Sequence, residues 1–151
     1  MRWLIYLSFA MLAVGGLYGA LQGLDKMGVD LYRYLPDPLY RYYLGLTVHG
    51  VTLGWLFTTY FIIAFLNLAT VHGLRRPLQS RRLAAATFVL AVGGGILALV
   101  PTFTNESSVL WTFYAPLQAH PAFYTGLTLV VVATWTAGLN TYLTWRGWKK
   151  E

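Results

Sequence analysis

Three histidines and no cysteine bound the chemistry open to this 151-residue chain. Without thiols there is no disulfide, no thiolate-bound metal and no covalent attachment of a c-type haem. His72 borders an arginine-rich stretch and reads as an interfacial residue, and His120 immediately precedes Pro121. His49 stands apart, inside the apolar, glycine-spaced run YYLGLTVHGVTLGW, Tyr42 to Trp55, which contains no charged residue. A neutral imidazole in such surroundings either bonds a nearby carbonyl or hydroxyl, with Thr47 and Thr52 at hand, or ligates a cofactor. Gly45 lies one turn before His49, and Gly50 and Thr52 flank the same surface. A glycine at that spacing leaves a flat space beside the ring in which a macrocycle could lie. Neutral imidazole is a good iron ligand once its second ring nitrogen has an acceptor that fixes the tautomer. Haem iron held by histidine is a recurrent use of an apolar helical pocket. One histidine without a carboxylate cluster suits zinc or non-haem iron poorly.

The segments that must position His49 are long and apolar. Hydrophobic residues make up 57% of the chain and aromatic residues 17%, while charged residues contribute only 11%. Soluble domains carry about 25% charged residues. Four blocks, Trp3–Leu24, Tyr42–Val71, Leu83–Phe103 and Ala122–Trp145, are long enough to cross a membrane, which takes roughly 20 helical residues. The expected architecture is all-α: an integral membrane four-helix bundle forming a single domain over residues 1–151. The second block exceeds the need and is expected to tilt or project. The first outruns the roughly 7–15 apolar residues of a secretory signal and reads as a span. His49 lies seven residues into its block, about 10 Å deep at 1.5 Å per residue.

Charge placement sets the expected orientation. With four alternating spans, Arg2, Arg75, Arg76, Arg81, Arg82, Arg146, Lys149 and Lys150 fall on one side. Lys26, Arg33 and Arg41 fall on the other, with Asp25, Asp30, Asp37 and Glu106. That asymmetry predicts cytoplasmic termini and a cytoplasmic HGLRRPLQSRR loop, in a multi-pass protein of the inner (plasma) membrane. Topology accounts for the basic residues, so a nucleic-acid partner is not expected. The closing RGWKKE reads as a natural cytoplasmic end. The first outer connection, DKMGVDLYRYLPDPLYR, holds Pro36 and Pro38, which deny it a continuous helix. The second, TNESSVLWTFYAPLQAHP, is rich in aromatics suited to the interface. Gly15, Gly19 and Gly23 recur every four residues in the first block, and Gly93, Gly94 and Gly95 are consecutive in the third. Ordinary close helix packing is the preferred account of both sets. Gly50 and Gly54 differ because they flank the histidine.

YYLGLTVHGVTLGWLFT resembles the second span of subunit I of the haem-copper oxygen reductases, most closely the B family. TNESSVLWTFYAPLQAHPAFYTG resembles the outer loop and fourth span of that subunit, and GGLYGALQGLDKMGVDLYRYLP its first span and following loop. The likeness covers nearly the whole chain but only the family's first third. It implies that His49 is an axial ligand of a low-spin haem, and that Trp111, Phe113, Tyr114 and Pro116 help cover the haem. His120 matches a family position that is not an iron ligand. The copper ligands, the high-spin haem ligand and the second low-spin haem ligand lie on later spans of the family.

The expected function is therefore a b-type haem electron carrier without the oxygen-reducing centre. His49 is the iron ligand, Gly45 and Gly50 border the ring, and Arg41, with Arg33, Lys26 and Trp111, could meet haem propionates. Three sources are open for the sixth ligand: a second His49 across a homodimer, which is preferred, His120 folded back, or another membrane subunit. A quinol or an electron-transfer protein is the expected redox partner. The rivals are the first component of a split terminal oxidase and a haem-free structural or assembly protein.

Overall fold

A computed structural model describes residues 2–107 and 118–150. Four helices dominate: α1 (Arg2–Lys26), α2 (Tyr42–Leu74), α3 (Arg81–Phe103) and α4 (Pro121–Trp148), of 25, 33, 23 and 28 residues. Each is long and apolar enough to span a bilayer, where no water can satisfy a backbone left unpaired. The expected blocks are all present and extend outward by one to three residues at several ends. Among the described residues there is no strand, only an isolated antiparallel bridge between Ser107 and Ala119. The chain is thus an all-α, multi-pass membrane protein.

Local chemistry sets the helix ends. The Ser80 hydroxyl accepts from the Leu83 N–H at 3.2 Å and starts α3, satisfying a donor that has no helical partner. Pro121 opens α4, where its missing N–H costs nothing, and the preceding His120 Nδ1 accepts from the Ala122 N–H at 3.2 Å. The proline-containing connection after α1 forms only a three-residue 3-10 turn, Tyr32–Tyr34.

The helix α2 is not uniform. Residues Val51–Phe57 form a π-helical segment between α-helical Tyr42–Gly50 and Thr58–Leu74. The wider turn begins two residues after His49, and such segments are frequent at functional sites. Sequence periodicity gave no sign of it.

Packing joins α1 to α2 and α3 to α4, with α2 also touching both members of the second pair. Gly94 and Gly126 make the α3–α4 crossing close. A Cβ on Gly94 would stand 2.6 Å from the Gly126 carbonyl oxygen. The larger core cluster includes Leu56, Tyr60, Ile63, Phe123 and Val130. A smaller one gathers Tyr18, Tyr32, Leu44 and Val48 at the other end of the α1–α2 pair. Only 22% of the apolar stretch of α1 is buried in the fold, so much of its surface is left for lipid or another polypeptide.

Polar side chains fasten the connection between α2 and α3. Asn140 Oδ1 accepts from the Ser80 N–H at 3.0 Å, and Asn140 Nδ2 donates to the Ser80 carbonyl at 2.9 Å. One turn later, Thr144 Oγ1 accepts from the Gln79 N–H at 2.9 Å.

Candidate functional site

His49 sits on the α1-facing side of α2, in its first α-helical section. Its Nδ1 lies 2.7 Å from the Gly15 carbonyl oxygen of α1. A carbonyl oxygen can only accept, so a neutral imidazole must carry its proton on Nδ1 and leave Nε2 as a lone pair. Among the described residues Nε2 has no hydrogen-bond partner. The hydroxyls named as candidate partners of the ring donate elsewhere: Thr47 to the Tyr43 carbonyl at 3.0 Å, and Thr52 to the Val48 carbonyl at 2.6 Å.

The ring stands against α1 where a glycine leaves no side chain in its way. A Cβ on Gly19 would lie 2.6 Å from His49 Cε1 and 2.7 Å from Nδ1. A Cβ on Gly15 would lie 2.6 Å from Leu53 Cγ and would also meet Thr52 Oγ1. Gly23, the third of the series, faces open space. Two of the three glycines attributed to general packing therefore serve the histidine and its neighbours. Their spacing by four was the available signal. Which face of α2 they meet depends on helix rotation, which spacing does not give.

A cavity of about 210 Å³ lies beside the ring, lined by His49, Gly50, Leu53 and Gly54. The open space is on this side and not, as expected, beside Gly45. There the Tyr32 hydroxyl and the Tyr18 ring fill the volume, at 2.5 and 2.8 Å from where a Cβ would stand. Gly45 is thus a close-packing position. Tyr32 is only 5% exposed; this burial pushes its phenol pKa above the ordinary value, and the neighbouring Gln22 amide opposes the shift.

The other candidates are dispersed. Arg41 precedes α2 and bonds Asp37 at 3.3 Å, both exposed. Arg33 donates to the Tyr34 hydroxyl at 2.9 Å, and Lys26 lies over the Tyr42 ring at 5.5 Å from its centroid. His120 lines a different cavity, with Ile96, Leu97, Val100, Pro101, Glu106 and Ala122. The structure does not bring it into the His49 cavity. His72 lies in the last turn of α2. Trp111, Phe113, Tyr114 and Pro116 lie outside the described residues.

The donor set fits a haem on one side. The imidazole has its tautomer fixed by a carbonyl, a free nitrogen, and an adjoining wall containing two glycines. Clefts that enclose a ligand of drug size measure about 300–1,000 Å³, so a cavity of about 210 Å³ would cover only part of a macrocycle.

Comparison with known proteins gives one answer. The family model for cytochrome c and quinol oxidase polypeptide I matches residues 1–151. A curated relative, cytochrome c oxidase subunit 1 of Thermus thermophilus, is 37% identical over 150 residues, covering 96% of this chain and 26% of the relative. A chain of a heme-copper terminal oxidase dimer solved by cryo-EM superposes with a TM-score of 0.82 at 29% identity, covering 94% of this chain and 25% of that one. The protein therefore spans about a quarter of the length of these relatives, and it belongs to the cytochrome c and quinol oxidase polypeptide I family.

Proposed function

We propose that this chain supplies one axial ligand, His49, to a low-spin b-type haem and serves in electron transfer. The bond between His49 Nδ1 and the Gly15 carbonyl, 2.7 Å long, supports the reading, because it leaves Nε2 as the free nitrogen of a side chain that lines the cavity with Gly50, Leu53 and Gly54. Second-shell acceptors of this kind orient ligating histidines and raise their basicity.

The chain's own residues would do three things. His49 would bind, Gly50 and Gly54 would leave room for a flat ligand, and Leu53 would exclude water from one side. The haem, when bound, would supply a one-electron couple. Among the described residues His49 is the only histidine lining the cavity, so the sixth ligand would come from beyond them, such as a second protomer or another membrane subunit. A symmetric dimer placing two copies of His49 about one haem is the preferred arrangement. Homodimers are usually isologous, and Gly50 and Gly54 permit close approach. A quinol or an electron-transfer protein would then exchange electrons with the site.

A second reading rests on the family match over residues 1–151: the chain is the first component of a split terminal oxidase whose other spans are a separate polypeptide. It predicts co-purification with a chain rich in intramembrane histidines.

The test is a reduced-minus-oxidised visible spectrum with pyridine haemochrome analysis on the full chain in detergent. A sharp low-spin b-type signal lost in His49→Ala is the expected result. Absence of haem after reconstitution, or an unchanged signal in His49→Ala, overturns the reading. Light scattering of the loaded protein would distinguish dimer from monomer.

A further inference from the structure

We infer that α1 is the orienting half of the His49 site: the Gly15 carbonyl fixes the imidazole tautomer and the missing side chain of Gly19 fixes the ring plane, so that Nε2 is presented as a lone pair before any metal arrives. What Nε2 then meets rests on the haem reading above; the tautomer and the ring plane do not.

Two independent contacts carry this. The Nδ1 to Gly15 oxygen distance is 2.7 Å, and only the Nδ1–H tautomer makes that a bond. Gly19, one helical turn further along α1, has no Cβ where one would stand 2.6 Å from Cε1 and 2.7 Å from Nδ1. Real Cβ atoms do not approach so closely, so any side chain there would drive the ring away. An imidazole hangs on one carbon from its helix, and moving it requires a change of χ1 or χ2. Either change moves Nδ1 relative to the Gly15 carbonyl, and side chains leave their staggered wells only at a cost. Both α1 positions thus act on one ring, through a bond and through a clearance.

General helix packing is the competing explanation, and α1 holds its own controls. Gly16 and Gly23 belong to the same helix, and a Cβ on either would meet nothing within 4 Å. If glycine here served only close helix approach, Gly19→Ala would loosen the α1–α2 pair without a specific effect on the imidazole. If Gly19 positions the ring, the tautomer itself changes. The glycines are therefore positioning residues and not ligands.

The experiment uses the full chain, free of haem, in lipid nanodiscs, with ¹⁵N-labelled histidine and assignment by loss of a signal in His49→Gln. The expected result is a protonated Nδ1 and a bare Nε2 at His49 in the wild type and in Gly23→Ala. Gly19→Ala is expected to give a mixture of tautomers or the reversed one. A wild-type His49 protonated on Nε2, or a Gly19→Ala spectrum identical to that of Gly23→Ala, overturns the inference. Should Gly19→Ala fail to fold, the wild-type tautomer alone still decides whether the Gly15 carbonyl plays its part. In haem-loaded protein, Gly19→Ala is expected to weaken haem binding by roughly tenfold or more, as loss of an outer-shell partner typically does, and to shift the low-spin electron paramagnetic resonance g values. Failure of the wild type to bind haem would overturn the proposed function while leaving the tautomer result standing. A normal g tensor in Gly19→Ala would overturn this inference and leave the haem reading intact.

Discussion

The Tyr60 hydroxyl of α2 occupies the notch that Gly95 leaves in α3, and from there it donates to the Ala91 carbonyl at 2.9 Å. A methyl group on Gly95 would collide with that hydroxyl. Close approach of the two helices and their hydrogen bond are therefore one feature. Gly95→Val is expected to force the phenol out and destabilise the fold by about 1–3 kcal/mol, the usual cost of overpacking. Tyr60→Phe keeps the ring and loses only the bond, for about 0.5–1.5 kcal/mol. Thermal unfolding in one detergent, followed by circular dichroism, would rank them. A Tyr60→Phe loss larger than that of Gly95→Val would contradict the geometry.

The neighbouring glycines separate cleanly. Gly93 is exposed and faces nothing, whereas Gly94 abuts the Gly126 backbone. Gly93→Ala is expected to stabilise α3 slightly, by up to about 1 kcal/mol of helix propensity. Gly126→Leu is expected to part α3 from α4, since even its Cβ would stand 2.5 Å from both the Gly94 oxygen and the Ala98 nitrogen. Unfolding in denaturing detergent would show opposite signs for the two. Equal effects would mean that α3 and α4 do not touch at this crossing.

Asn140 holds the N–H and the carbonyl of Ser80 with its two amide atoms while remaining fully buried. Asn140→Leu has similar volume and cannot bond, so it leaves both backbone groups of Ser80 without this partner. The expected cost is about 1–3 kcal/mol, read locally as faster proteolysis at the RRPLQSRR segment in detergent. Asn140→Asp keeps the acceptor and is expected to lie between. A Leu variant as protease-resistant as the wild type would show that the clamp contributes little.

How far the sequence discloses this molecule depends on what each feature physically requires. The four helices are legible because crossing about 30 Å of hydrocarbon demands unbroken apolar length. Their inward faces are not, because lipid is as apolar as a core, and an all-round apolar helix has no stripe to read. Small residues are the remaining clue, and they reveal contact without naming the partner. Gly19 was therefore visible as a packing position and invisible as the neighbour of His49. Gly45 looked like open space and is filled by Tyr18 and Tyr32, since a loop outside the spans supplies Tyr32. The π-helical segment from Val51 to Phe57 has no compositional mark at all. His49 is legible because an imidazole among apolar residues is costly wherever it points. Its acceptor, a backbone carbonyl 34 positions away, carries no sequence signature.

Alternation of four helices places the start of α1, both ends of the α2–α3 connection and the end of α4 at one end of the bundle. The eight basic residues grouped there outnumber Lys26, Arg33 and Arg41 at the other. Each basic residue near an anionic cytoplasmic leaflet is worth about 1 kcal/mol, and the excess favours cytoplasmic placement of the arginine-rich end. The absence of cysteine makes the test clean, because a single introduced thiol reports alone. Asp30 and Arg82 are both exposed and lie at opposite ends. Asp30→Cys is expected to react with a membrane-impermeant maleimide in intact cells, and Arg82→Cys only after permeabilisation. The reverse pattern would turn the bundle over and place the His49 cavity nearer the cytoplasmic face, so a redox partner would have to approach from the cytoplasm.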